Sequence, residues 1–530
     1  MMRLEFYPKT GAFVLRGEGQ DYQDAAREVG LDWSKPARVY YTRNPYAALH
    51  FWPHASDAAA DELFELRLAY ERSWAQEYHG PNIVCPEDMA YHPFQAAGID
   101  YARSRDHTLI GDSMGLGKTV QAIGTASECQ MERVLAVVPA AARYQWAREI
   151  QKWYVHPRRR RVRTYPVGKS RDGIDFSAHW IIISYDLLRN ADLHALLCRS
   201  VFDMLVLDEG HLLKSYEAKR TRAVFGTGEW ESVAERAEKR IALTGTPLPN
   251  RPRECYTLAR GLDFDAIDRM SEDSFKSRYN PSMRMSNGHT IEETGRLPEL
   301  HNRLRCNFMV RRLKEDVLTQ LPPKSLDLVY LEENAGIQRV LKAEDLLGID
   351  PNDLGRMDEE TQGQVSTLRR EMGEAKIPLF VERVRRLFDD GMDKMGLFVW
   401  HKSVISALEQ KLASFGVAKV DGSCTPAQKD RNKVRFINDP NCRLFLGQIQ
   451  AAGTALDGLQ EVASFVDIGE PSWTPGENEQ VIDRFHRDGQ RDGVQGNILV
   501  APGSFDEKVM GKILGKAEDT AQTLDARKRG

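Results

Sequence analysis

The feature that most constrains this chain is a series of short, almost wholly apolar runs separated by helical stretches. Over residues 84–305 they are TLIGDS, RVLAVVPA, WIIISY, MLVLDE and RIALTGT, and after residue 395 come GLFVW, KVDGS, RLFLGQ, FVDIG and NILVAP. A run of Val, Ile and Leu without polar alternation suits a strand covered on both faces, and the helices between such strands supply the covers. The expected fold class is therefore α/β, built from two parallel-sheet lobes. At 530 residues the chain exceeds what one hydrophobic core serves, which agrees with more than one lobe.

Around the lobes the pattern changes. Residues 1–83 read as a small N-terminal accessory α+β domain: LEFYPKTGAFVL gives two strands about a Lys-Thr-Gly turn, DYQDAAREVG a helix, ARVYYT a strand and DAAADELFELRLAYERSWA a long amphipathic helix. Lobe 1 is assigned to 84–305 and lobe 2 to 396–515. Between them, 306–395 is charged and mostly helical, broken by LPPK at 321–324, and reads as a linker or brace. Residues 516–530 read as a tail.

Composition removes several classes. With 42% hydrophobic and 28% charged residues, and no apolar run near the ~18–20 residues that cross a bilayer, a soluble protein without a membrane partner is expected. The start, MMRLEFYPKT, has no apolar stretch of signal-peptide type, so the expectation is cytoplasmic. The seven cysteines are scattered without a CxxC pair and are read as reduced, outside any zinc site or disulfide framework. A net charge of −4 is not that of a dedicated basic DNA-binding domain, so any DNA contact must come from local basic surfaces.

Two segments carry chemistry. Gly111-Asp-Ser-Met114-Gly115-Leu116-Gly117-Lys118-Thr119 lies between the strand TLI and a helix. Such glycines let backbone wrap a phosphate, the helix start presents free N–H groups, Lys118 neutralises terminal phosphates, and Thr119 can ligate Mg2+. The strict pattern asks for glycine where Asp112 stands. Leu205-Val-Leu-Asp208-Glu209-Gly-His211 is an apolar strand ending in two acids. Asp208 can hold the metal shell and Glu209 can polarise the attacking water. ATP and Mg2+ are the cofactors expected.

PFQAAGIDYA, DSMGLGKTVQAI, VVPAAARYQWAREI, LVLDEGHLLKS, ALTGTPLPNRPRECYTL, RRLKEDVLTQLPPK, VDGS and WTPGENEQVIDRFHRDGQ, in this order over about 84–515, resemble the Swi/Snf family of superfamily two ATPases. The compact annealing-helicase branch is the nearest likeness. The resemblance implies two RecA-like lobes with ATP between them. It implies that Gln95 reads adenine, that Thr244-Gly245-Thr246 links nucleotide state to DNA grip, and that Gly453, Asp457 and Gln480 line the nucleotide. It also implies that Arg484 and Arg487, read as one helical turn apart, reach the phosphates, where always-charged guanidinium groups suit phosphoryl transfer. Asp483 and Gln490 complete that late segment as hydrogen-bonding partners. Two departures stand out: Ala455 replaces a usual glycine, and Ser113 replaces a usual glutamate.

For a track, the resemblance implies double-stranded or branched DNA, gripped through phosphates with a strong salt dependence. Candidate contacts are Arg143, Gln145, Trp146, His401 and Lys402, with ordinary surface or packing roles as the alternative for each. The run Arg158–Arg163 reads first as a solvated loop and second as a DNA patch; Arg311, Arg312 and Lys314 read as brace residues. Tyr40, Tyr41, Tyr46, Phe51 and Trp52 read as the core of the first domain, with a base-stacking platform as the alternative. That domain is a candidate site for a protein partner. The activity expected is an ATP-dependent double-stranded DNA translocase that remodels branched DNA or protein-DNA complexes. The alternatives are a strand-separating helicase or restriction-type motor subunit, and a nucleotide-gated DNA clamp or inhibitor acting through residues 1–83. A monomer from a bacterial or phage-infected cell is expected, with a nuclear location if the host is eukaryotic.

Overall fold

The computed structural model describes residues 2–511 apart from 157, 159–160, 169–173, 228–229, 246–251, 285–289, 293–294, 349–357, 453–457 and 474. The chain divides into two compact units, one running to Val317 and the other beginning at Leu318.

The first unit opens with an antiparallel sheet in the order β1 (Arg3–Tyr7), β2 (Ala12–Arg16), β4 (Val39–Thr42), β3 (Asp32–Ser34), covered by α1 (Gln20–Val29), α2 (Pro45–Leu49) and α3 (Asp57–Arg72). Tyr40 and Phe51 are buried in its core, and Tyr46 and Trp52 pack against it, so most of the aromatic stretch forms the interior. This module is fastened to the helix Leu297–Asn307. Asn302 Nδ2 donates to the Tyr46 carbonyl at 2.8 Å, Arg303 stacks over the Tyr46 ring at 4.7 Å, Tyr70 Oη meets His301 Nε2 at 3.1 Å, and Arg305 lies 3.3 Å over Trp74.

Next comes a seven-stranded parallel sheet, with α4 (Pro93–Arg103), α5 (Lys118–Glu128) and α6 (Arg143–Trp153) among its helices. Its order is Met309–Val310, β5 (His107–Ile110), β10 (Ala237–Leu243), β9 (Phe202–Leu207), β6 (Val134–Val138), β8 (Trp180–Ser184), β7 (Thr164–Pro166). Strand periodicity shows in the packing: Leu135, Val137, Ile181, Ile183, Leu205 and Leu207 enter one core, while Ala136, Val138, Ile182, Met204 and Val206 enter the other. Both faces are covered, which is why these strands read as unbroken apolar runs.

The second unit repeats the plan with six parallel strands in the order Lys324–Tyr330, Val494–Val500, Phe465–Ile468, Met395–Val399, Leu444–Gln448, Val417–Val420. Phe398, Phe445, Val466 and Ile498 face one core and Leu397, Val399, Leu446 and Leu499 the other. The fold class expected from the sequence is thus present, two parallel-sheet lobes beside a small α+β module. Within the two parallel sheets three strands went unread: Thr164–Pro166, Met309–Val310 and Lys324–Tyr330. The first two are edge strands too short to show a period. The third, KSLDLVY, is an edge strand that alternates polar and apolar residues because it is only partly covered. The segment read as a helical linker therefore lends one strand to each sheet, besides the helices Ala335–Leu347 and Glu359–Asp389. Among the described residues no helix is long and apolar enough to cross a membrane.

Candidate active site

The glycine loop leaves β5 after Ile110 and ends at Gly117, which caps α5 in the left-handed region at φ 71°. Gly115 is also left-handed, at φ 85°. Only glycine adopts such angles freely, and a Cβ on Gly117 would strike Gln95 Nε2. Lys118 opens α5 and folds back so that Nζ donates to the carbonyls of Asp112 at 2.9 Å and Ser113 at 3.3 Å. Loss of water around the ammonium lowers its pKa, opposed by the carboxylates of Glu209, Asp112 and Asp208. Thr119 follows in the first helical turn, which contains no acidic side chain. Met114 lies over the loop, 2.6 Å from where a Cβ of Gly245 would stand. Leu116 is fully buried, and its carbonyl accepts from Gln95 Nε2 at 3.3 Å. Gln95 Oε1 in turn accepts the His92 N–H at 3.1 Å, capping α4, so both arms of this amide hold protein groups.

Asp112, which departs from the strict glycine pattern, is fully buried against Arg312. Arg312 Nε and Nη2 meet its two oxygens at 2.9 and 2.6 Å, and the Arg312 backbone N–H donates to Oδ1 at 2.9 Å. Gln121 Nε2 completes the set at 2.8 Å. Next door, Arg311 Nη1 donates to the carbonyls of Gly111 at 2.6 Å and Gly245 at 3.3 Å. Both arginines brace the glycine loop within the first unit, and Lys314 is buried as well.

The acid pair stands at the same sheet edge. Register pairs Ile110 with Leu243 and Leu207 with Ala242, so the loop after β5 and the acids after β9 emerge from one carboxyl edge with β10 between them. Asp208 is held at every polar point. Its N–H donates to Val137 O at 2.9 Å, and its carbonyl accepts from Tyr185 Oη at 2.7 Å. Oδ1 accepts from the Glu209 N–H at 3.1 Å, and Oδ2 from Trp146 Nε1 at 2.8 Å. Burial, then the neighbouring Glu209 charge, raises its pKa to about 7, against the opposing pull of Trp146 and Lys118. Glu209 sits in left-handed backbone at φ 50° and ψ 53°. Its Oε2 lies 3.3 Å from His211 Nδ1, which lies 3.1 Å from Thr244 Oγ1. Thr246 lies outside the described residues.

In the second unit Gln480 is on the helix Pro475–Asp483, but Arg484 and Arg487 are not. The reading of two arginines one helical turn apart is corrected here: the helix ends at Asp483 and both arginines stand in the turns that follow. The cause is packing. Phe485 is fully buried against Phe398, and His486 Nε2 reaches Pro322 O at 2.8 Å. The chain tightens into turns, with Arg484 N–H on Val481 O and Phe485 N–H on Ile482 O. Arg487 Nε donates to Asp483 O at 3.1 Å, while the Asp483 carboxylate accepts from Lys324 Nζ at 3.1 Å. Gln490 fixes the exit, donating to Ala463 O and Phe485 O and accepting from the N–H groups of Arg491 and Asp492. Gly453, Ala455 and Asp457 lie outside the described residues.

The expected DNA contacts are redistributed. Trp146 is 2% exposed and faces Asp208, so it is not a surface group. Arg143 holds the carbonyls of Ala140 and Gly168 at 3.0 and 3.1 Å. His401 Nδ1 lies 2.6 Å from Glu470, which also accepts the Trp400 and His401 N–H groups. Gln145 is partly buried on α6, whereas Lys402 is exposed. Arg158 pairs with Glu132 at 3.0 Å, and Arg159 and Arg160 lie outside the described residues. Sequence reading missed the Trp146 and Tyr185 contacts to Asp208 and the Arg312 contact to Asp112. Only the last had a signal, an acid where glycine was expected and an arginine pair with no assigned partner.

Two parallel-sheet units, one with a lysine-bearing glycine loop beside an acid pair at its carboxyl edge, define the class as that of helicase-like ATPases. The SNF2-related domain matches residues 94–377, more than half of the chain, and the chain belongs to that family. The human "DNA annealing helicase and endonuclease ZRANB3" is 30% identical over 452 residues, covering 82% of this chain and 40% of the relative. The "SWI/SNF-related matrix-associated actin-dependent regulator of chromatin subfamily A-like protein 1" of Xenopus tropicalis is 31% identical over 442 residues, covering 80% and 44%. The chain thus spans less than half the length of these relatives. A solved structure, "Sulfolobus solfataricus SWI2/SNF2 ATPase core in complex with dsDNA", aligns with a TM-score of 0.40 at 20% identity, covering 84% of this chain and 97% of that one. The likeness to annealing helicases agrees with the branch read from the sequence. Both curated relatives are animal proteins, so the expected bacterial or phage host finds no support in them.

Proposed function

We propose that this chain is a DNA-dependent ATPase that translocates on double-stranded DNA and remodels branched DNA or protein-DNA complexes. The observation that carries the reading is the convergence of the Lys118 loop and the Asp208-Glu209 pair on one sheet edge, one strand apart. The residues suit ATP with Mg2+. Lys118 offers a desolvated ammonium resting on two carbonyls, the start of α5 offers N–H groups, and the crowded carboxylates of Asp208 and Glu209 favour a nearby divalent charge. When bound, Mg2+ neutralises phosphate charge and orients the terminal phosphate.

In this reading Met114, Gly115, Leu116, Gly117, Lys118 and Thr119 cradle the phosphates, and Gln95 sits on the adenine side. Thr119 and Asp208 hold the metal, and Glu209 takes the proton of the attacking water. Arg484 and Arg487 bring positive charge to the transferred phosphoryl group, while Gly453, Asp457 and Gln480 complete the nucleotide contacts. Action on DNA draws on the name of the human relative, a DNA annealing helicase, and the preference for branched substrates is part of the proposal. A protein partner would approach the face of residues 1–83 turned away from the helix Leu297–Asn307. In a eukaryotic cell the work site would be the nucleus.

The test is ATP hydrolysis without nucleic acid and with single-stranded DNA, duplex, forked DNA and duplex RNA, at two salt concentrations, beside Lys118→Ala. Strong stimulation by duplex or fork, lost in Lys118→Ala, is the expected result. Binding without stimulation would replace the motor by a nucleotide-gated clamp. Opening of a plain duplex, in place of displacement of a triplex strand, would replace translocation by strand separation.

A further inference from the structure

Trp146 was a candidate DNA contact, because its helix follows VVPA and carries exposed Tyr144 and Arg148. The structure turns it the other way. The indole is 2% exposed and packs with Ala136, Val138, Ile182 and Val206 between α6 and the sheet. A buried indole N–H needs an acceptor, and here the acceptor is Asp208 Oδ2 at 2.8 Å.

Asp208 ends a strand where the backbone must leave the sheet through Glu209, a non-glycine residue in left-handed conformation. Conformations of this kind persist where their surroundings over-determine them. Val137 O and Tyr185 Oη fix the main chain of Asp208, and the Glu209 N–H fixes Oδ1. These three contacts leave rotation about the carboxylate plane to be settled by a donor on Oδ2. Trp146 supplies that donor from a different element, and its ring is buried in the core that α6 forms with the sheet.

We propose that Trp146 is a positioning residue for the metal-binding carboxylate: its indole N–H orients Asp208 so that one oxygen is turned toward the divalent cation carried by ATP. The inference rests on the ATPase reading and deepens it. Partners that orient a ligating carboxylate without touching the metal typically change metal affinity or activity by about 10–100-fold when removed. Trp146 therefore acts on how tightly the cation is held, and leaves intact the affinity for nucleotide without metal and for DNA.

The experiment uses the full chain. Mn2+ affinity is measured by electron paramagnetic resonance in the presence of a non-hydrolysable ATP analogue, for wild type and Trp146→Phe. Alongside it, analogue binding is measured in chelator and duplex binding at fixed salt. About tenfold weaker Mn2+ binding, a raised Mg2+ requirement for hydrolysis, and unchanged chelator and DNA affinities are expected. Because phenylalanine leaves part of the indole space unfilled, benzothienylalanine at position 146 is the second variant, with the indole shape and sulfur in place of the N–H. Wild-type Mn2+ affinity in the benzothienylalanine variant overturns the assignment, whatever Trp146→Phe shows. So does a loss confined to duplex affinity, which would return Trp146 to DNA contact. A wild type with no metal-dependent analogue binding overturns the ATPase reading and this inference with it.

Discussion

Arg312 and Asp112 form a buried, two-pronged ion pair, Nε to Oδ1 at 2.9 Å and Nη2 to Oδ2 at 2.6 Å, with 1% and 0% of their side chains exposed. The pair joins the start of the glycine loop to the segment that follows Met309–Val310, and Gln121 Oε1 accepts a further Arg312 N–H at 2.8 Å. Gly98 on α4 permits this, since a Cβ there would collide with Gln121 Oε1. Removing one partner strands a charge away from water, at a cost of about 3–5 kcal/mol. Arg312→Ala is therefore expected to lower the urea midpoint of the first unit sharply, and Arg312→Ala with Asp112→Ala to recover much of the loss. Equal midpoints for the single and double variants would show that the charge is not the cause.

Gly117→Ala is expected to weaken nucleotide binding and to lower the thermal midpoint. The left-handed backbone alone costs a residue with a Cβ about 1–2 kcal/mol, and the added methyl meets Gln95 Nε2. Fluorescent-nucleotide titration and a melting curve on the same sample check it; unchanged affinity would mean that the loop does not need this geometry.

Lys118→Ala and Glu209→Gln should both lose DNA-stimulated turnover, the second by about a hundredfold or more, with duplex affinity kept. Arg487→Ala should retain nucleotide binding and slow hydrolysis on the order of a thousandfold. Filter binding and single-turnover kinetics separate these effects. Wild-type turnover in Arg487→Ala would remove its role in phosphoryl transfer.

Glu344 gives a pH signature in the second unit. Burial raises its carboxyl from 4.5 to about 7, although Oε2 accepts the Phe505 N–H at 2.9 Å. With the folded pKa above the unfolded one, the native state binds the extra proton between these values, so stability falls as pH rises from about 4.5 to 7. Glu344→Gln mimics the protonated form. Its urea midpoint should match wild type at pH 5 and exceed it at pH 8, and a constant difference across that range would contradict the assignment.

The sequence by itself determined the parallel-sheet class, most strands, the small first module, the glycine loop and the acid pair. Each is written in neighbouring residues: a strand covered on both faces must be apolar along its whole length, and a phosphate-wrapping loop must place glycines before lysine. Tertiary structure decided which side chains these groups meet. Arg312 stands 200 positions from Asp112 and Trp146 stands 62 from Asp208, separations over which no periodicity carries information. It also decided that Arg484 and Arg487 leave the helix, in turns where Phe485 is buried against Phe398 and His486 meets Pro322 O. Backbone pattern is local and legible in order, whereas the partner of a buried polar group is fixed only when distant elements pack and remove water from it.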